Sequence, residues 1–196
     1  FKVIMSIYLI LYMVPTLFNR LLNIMLTKMF FEKEYKRMEK LYNIALKIQC
    51  IALIPIMFIV GVWVLEIFMI YDINATKELY LSLLILVIVN FVQINSCIGS
   101  VYTAYNKPQY LSLFVVLGSV VNYIFCNIFI PKYLLLGASI SLLISTFLVQ
   151  LLLYLNAKYN IMFKIELRSF LKCIMCSSIM ISLVVLFYKI YNQSIL

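Results

Sequence analysis

The feature that most constrains this chain is a run of six apolar stretches, each long enough to cross a membrane. A hydrocarbon core about 30 Å deep takes roughly 20 helical residues to span. Such stretches cover about 3–27, 46–71, 79–105, 111–130, 134–155 and 170–191. Composition removes the soluble alternative. Of the 196 residues, 66% are hydrophobic and 12% charged, against about 45–50% and about 25% in soluble domains. In lipid the backbone must satisfy its own hydrogen bonds, so the spans are helices. A β-barrel would show segments of about 10 residues with alternating polarity, and none is present. The expectation is an all-α, polytopic transmembrane bundle of about six spans, forming one membrane domain over 1–196. The chain opens FKVIMSIYLI, on the edge of the first stretch and without a Met. It reads as a piece of a longer protein, with no signal-peptide pattern.

Charge placement gives orientation. The connector 28–47 carries Lys28, Lys33, Lys36, Arg37, Lys40 and Lys47; the 106–109 turn carries Lys107; and 156–172 carries Lys158, Lys164, Arg168 and Lys172. These eleven lie on one side if the spans alternate, against four on the other: Lys2, Lys77, Lys132 and Lys189. Basic loops stay cytoplasmic, so the 28–47 and 156–172 connectors are expected inside and both ends outside. The net charge of +9 is then a topology signal, and no soluble basic domain exists to bind nucleic acid. The connector itself repeats Tyr35, Met38, Leu41, Tyr42 and Ala45 at helical spacing. It reads as an amphipathic helix lying on the inner membrane face, with Glu32 and Lys36 as an i,i+4 pair.

Function should reside in polar groups within the spans, which are expensive in hydrocarbon. At 100° per residue, Tyr8, Tyr12, Pro15, Thr16, Asn19 and Asn23 form one stripe. Arg20 sits at its edge, about 12 Å inside the boundary set by Lys28. Two readings stay open: snorkelling to the basic side, or handling an anion in a central cavity. Pro15 should weaken the helix near mid-span. In the third stretch Asn90, Gln93, Cys97, Ser100 and Ala104 align; in the fourth, Ser112, Ser119, Asn122 and Cys126. In the fifth, Gly137, Ser141 and Ser145 make a small-residue packing seam, with Thr146 and Gln150 opposite. Glu66 reads as an interfacial residue near the outer end of the second stretch.

Several chemistries lack their residues. There is no His, which removes the usual general base and the commonest metal ligand. The five Cys lie in apolar runs, and the Cys173–Cys176 pair sits in a hydrophobic stretch without a redox-fold context, as apolar filler. No nucleophile elbow, phosphate loop or paired intramembrane carboxylates occur. No enzyme activity, cofactor or metal is expected.

The segment VNYIFCNIFIPKYLLLGASISLLIS (121–145) carries a resemblance. Asn122 and Asn127, the turn Ile130-Pro131-Lys132-Tyr133, and the restart Gly137-Ala138-Ser139 are similar to the C-terminal half of bacterial polysaccharide flippases. These belong to the multidrug/oligosaccharidyl-lipid/polysaccharide exporter superfamily. AYNKPQY (104–110), FFEKEYKRMEKLYNIALK (30–47), IPIMFIVGVWVLEIFMIY (54–71) and the VP of LYMVPTLF follow in the family's order, so that it covers about 10–155. One departure is Leu134, where the family usually has its first Gly, which makes the turn less permissive. The resemblance places the chain as spans 8–13 of a 12–14 span, two-lobe exporter, and the charge count gives the same direction for the first span independently.

The resemblance implies a transporter of the bacterial cytoplasmic membrane. It would flip an undecaprenyl-pyrophosphate-linked oligosaccharide, an O-antigen or capsule repeat unit, by alternating access. Its partners would be that lipid-linked oligosaccharide, the bilayer and, beyond them, a glycan polymerase and a chain-length regulator. On the helical faces described, Arg20 would take the pyrophosphate, and Tyr12, Asn19, Asn23, Asn90 and Gln93 the sugar hydroxyls. Alternatives are multidrug extrusion or lipid II flipping within the superfamily, a membrane-embedded glycan polymerase or ligase component, and a purely structural membrane subunit.

Overall fold

The computed structural model describes residues 2–62, 77–161 and 175. The expectations for Glu66, for Cys173 and Cys176, and for the sixth stretch lie outside the described residues. Among the described residues every element is helical. α1 is Lys2–Phe31, α2 is Tyr35–Val62, α3 is Lys77–Gln93, α4 is Ile98–Ala104 and α5 is Pro108–Asn156. A 3-10 turn, Ile94–Cys97, joins α3 to α4, and a π turn, Ala157–Ile161, ends α5. Three stretches are long and apolar enough to cross a membrane: Tyr35–Met57, Glu78–Ala104 and Pro108–Ile161. Large apolar side chains face outward along them, with Val116 61% and Tyr123 71% exposed. A surface of this kind calls for lipid rather than water.

α1 and α2 are antiparallel neighbours joined by a three-residue turn. The Glu34 amide reaches back to the Met29 carbonyl at 3.0 Å, and the Lys33 amide to the Phe30 carbonyl at 3.0 Å. Lys33 sits at φ 59°, the left-handed position that closes a helix in this motif. The same device ends α4: Lys107 bonds to the Tyr102 carbonyl at 2.9 Å, with Asn106 at φ 54°. Pro108 then opens α5 at a position where its missing N–H costs nothing.

The 28–47 segment is therefore not a separate helix lying on the membrane face. Its first part finishes α1, and Tyr35 starts a helix that runs unbroken into the second apolar stretch. The periodic face does exist: Met38, Tyr42, Ala45 and Leu46 are buried, but against Leu22 and Leu26 of α1 and Cys97 and Val101 beyond α3. Apolar periodicity reports a buried stripe, and it does not say whether protein or lipid covers it. The expected Glu32–Lys36 pair is replaced by Glu34–Arg37 at 2.8 Å.

α5 is a hairpin. Its 49 helical residues would extend about 74 Å if straight, more than twice a hydrocarbon core. Leu134, at φ 48° and ψ −120°, breaks the helical backbone. A Cβ on Gly137 would run into the Phe129 carbonyl and would lie 2.9 Å from the Ile130 nitrogen. Residues eight apart in a straight helix are about 12 Å apart, so the chain has turned back. Farther from the tip, a Cβ on Gly118 would strike Val149 and lie 3.7 Å from the Ser145 carbonyl. The arms 108–133 and 135–156 thus run antiparallel. Hairpin formation around Pro131-Lys132-Tyr133 agrees with the sequence reading.

One end of the bundle collects the connectors. The Phe30 ring lies 5.0 Å from that of Tyr105 and 6.0 Å from that of Tyr35. Ile161 packs against the same region. Lys28, Lys33, Lys36, Arg37, Lys40, Lys107 and Lys158 therefore share a rim, while Lys132 stands at the hairpin tip, an arm's length away.

Candidate polar cleft

α1 packs on α2, α3 and α4, and the α5 hairpin packs chiefly on α3 and also on α4. No extensive packing joins α1 to the hairpin. The two stand as walls over a shared floor, and the space between them is a cavity of about 570 Å³.

The α1 wall supplies Tyr12, Asn19, Arg20 and Asn23. These four are held on one face by an unbroken helix that runs through Pro15. Tyr12 stacks on Tyr8, with ring centroids 6.2 Å apart. The Arg20 side chain is exposed to the cavity and has no ion-pair partner among the described residues. α1 is helical from Arg20 to Lys28, so Arg20 lies about 12 Å deep along the axis.

The floor supplies Gln93, Ser96, Gly99, Ser100 and Thr103. Hydrogen bonds tie it to α1. The Gln93 amide donates to the Tyr8 hydroxyl at 3.2 Å, the Asn19 amide to Ser96 Oγ at 2.8 Å, and Ser100 Oγ to the Asn19 carbonyl at 3.1 Å. Thr103 Oγ1 donates to Asn23 Oδ1. The hairpin wall adds Ser119 and Asn122 from one arm and Ser145, Thr146 and Gln150 from the other.

Of the cavity-lining residues, three have a buried carboxamide end without a partner: Asn19 Oδ1, Gln93 Oε1 and Gln150 Oε1. Whichever way such an amide is turned, one of its two polar ends stays unpaired. A buried unpaired polar atom costs about 1–3 kcal/mol, which a polar occupant of the cavity would remove. Among the described residues the arrangement thus offers one exposed guanidinium and a ring of hydroxyl and amide groups. Among the described residues no acidic side chain lines it.

Of the residues singled out in the sequence, Tyr12, Asn19, Arg20, Asn23 and Gln93 meet in this cavity, and Asn90 does not. Asn90 is fully buried, and its amide bonds the Leu86 carbonyl of its own helix at 3.1 Å. Cys97, expected on the same stripe, is buried on the far side, 2.8 Å from Gln49 Oε1. Asn90 stands in α3 about 60° round from Gln93, on the side turned away from the cavity; for Cys97 the cause is the 3-10 turn. Its residues advance by 120° instead of 100°, so four of them rotate everything beyond by about 80°. That rotation brings in Ser96, Gly99 and Thr103, which a uniform helical projection misses. The adjacent Asn95 and Ser96 are a signal for such a break, because both residue types compete for backbone hydrogen bonds. In the hairpin, Ser119 and Asn122 face the cavity, but Ser112 and Cys126 do not.

Comparisons with protein-family models, with curated proteins and with solved structures found no match.

Proposed function

We propose that this cleft is the passage of a lipid-linked oligosaccharide flippase, whose cargo is an undecaprenyl-pyrophosphate-bound glycan unit. The observation that carries the reading is the unpaired Arg20 guanidinium opening on a cavity of amides and hydroxyls. A pyrophosphate needs a cation, and a sugar needs donors and acceptors on either side. A guanidinium binds phosphate oxygens through two parallel N–H bonds. The open gap between α1 and the hairpin supports a cargo whose lipid tail stays in the bilayer while its head crosses. The absence of a described acidic side chain from the cavity favours an anionic cargo over the cationic drugs of multidrug extrusion.

On this reading the chain contributes about six spans, corresponding to spans 8–13 of a two-lobe exporter in the bacterial cytoplasmic membrane. The basic rim faces the cytoplasm. Transport proceeds by rigid-body rocking of the lobes, with no catalytic step, and a glycan polymerase and a chain-length regulator act beside it. The test is Arg20→Ala in the full-length protein. Surface glycan should be lost while membrane insertion stays intact. Normal surface glycan in that variant removes Arg20 from the path.

A further inference from the structure

We propose that α4 is a latch that seals the cleft toward the basic rim. The inference rests on the cleft being a passage, and it concerns how that passage is gated. The two walls lack extensive packing on each other, and at that end the element that touches both is α4. Beside its apolar packing on both walls, α4 bonds them with two consecutive side chains that point to opposite sides. The Tyr102 hydroxyl donates to the Leu153 carbonyl of the hairpin at 2.7 Å, with Asn156 Oδ1 at 3.0 Å as a second acceptor. Thr103 Oγ1 donates to Asn23 of α1. Asn23, Thr103 and Leu153 also line the cavity at its rim-side end.

Three features make this a releasable contact. The first is a hinge: the 3-10 turn immediately before α4 interrupts the α-helical hydrogen bonding, and mid-helix turns of this kind permit bending. The second is a reserve partner for Thr103, whose hydroxyl also lies 2.9 Å from the Ser100 carbonyl of its own helix. One proton serves one acceptor at a time, so the hydroxyl stays satisfied when Asn23 leaves. The third is the Leu153 carbonyl, which already accepts the Ala157 amide and is not orphaned when Tyr102 departs. Breaking both bonds therefore strands neither the Thr103 hydroxyl nor the Leu153 carbonyl, and the Tyr102 hydroxyl and Asn23 Oδ1 are left to the water that enters the opened end.

The latch is read by accessibility, without any cargo. A Ser119→Cys reporter, on the hairpin wall of the cavity, is placed in the full-length protein in membrane vesicles. A membrane-impermeant maleimide is added to the basic-rim face, and labelling is followed by peptide mass spectrometry. Tyr102→Phe with Thr103→Val should speed labelling of position 119 roughly tenfold, as expected for the loss of two hydrogen bonds. The buried Cys50 and Cys97 should stay unreactive, showing that the fold is kept. An unchanged rate overturns the latch. A second variant tests the inverse: a disulfide between Asn23→Cys and Thr103→Cys should slow labelling roughly tenfold, and an unchanged rate again overturns it. Failure of Arg20→Ala to affect export would count against the cargo and leave the latch result standing.

Discussion

Leu134 and Arg20 are the residues whose surroundings fit them least well. Leu134 holds φ 48° and ψ −120°, a conformation open to glycine and costly for a residue with a Cβ, by about 1–3 kcal/mol. Its side chain is 66% exposed, so little packing is lost on its removal. Leu134→Gly should therefore stabilise the protein by about 1 kcal/mol, after allowing for the added freedom of the unfolded chain. Leu134→Val should destabilise it, because a β-branched side chain tolerates this region worst. Thermal unfolding of the purified protein in detergent checks both signs; stabilisation by Val would refute the strain argument. Arg20 is the opposite case, an ordinary backbone position with an unanswered charge. Its location was legible from the sequence because α1 is one regular helix. The sequence does not separate snorkelling from anion binding, because both place the same side chain at the same depth.

At the scale of elements, the close approaches within the hairpin carry the next prediction. At Gly137 the obstructing atoms are backbone, which cannot rotate away. Gly137→Ala should separate the arms near the tip and cost about 2–4 kcal/mol, in the range of overpacked interiors. At Gly118 the first obstruction is the Val149 side chain, and the backbone beyond is at ordinary contact distance, 3.7 Å. Gly118→Ala should cost about 1–3 kcal/mol, and Val149→Ala should restore most of it. Stability of the two single variants and the double variant decides the matter; strict additivity would mean that the two side chains do not meet.

The helices differ in how far the sequence reveals them. The hairpin was readable from Pro131, Lys132 and Tyr133 interrupting an apolar run. The small seam was readable from Gly137, Ser141 and Ser145, all of which are buried. The phase of α4 was hidden, because four residues of 3-10 geometry turn it while leaving composition unchanged. The interfacial position assigned to 28–47 failed for another reason. An amphipathic face is the same whether it meets lipid or a neighbouring helix.

For the whole molecule, the described connectors fix a polarity. The 32–34 and 106–107 turns and the end of the second arm lie together, and the hairpin tip lies at the other end. Cysteines introduced at Lys36 and Leu134 should react with impermeant reagents from opposite faces of the membrane. Reaction from the same face would overturn the topology. The count of basic residues anticipated this polarity without any structural knowledge, because charge sorting acts on connectors and is indifferent to how the spans pack. The cleft itself was only half legible. Helical projection finds the polar face of a single span, but the gap between α1 and the hairpin arises from which helices touch.

The hairpin also bears on how the protein is made. Its closing approaches join residues near in sequence, Phe129 with Gly137 and then Gly118 with Val149. Contacts this local close quickly and need no other part of the chain. The two arms can therefore zip from the tip as they leave the ribosome and enter the bilayer as a finished unit. Assembly then reduces to docking that unit on α3 and α4, and a variant that opens the tip should already fail at biogenesis.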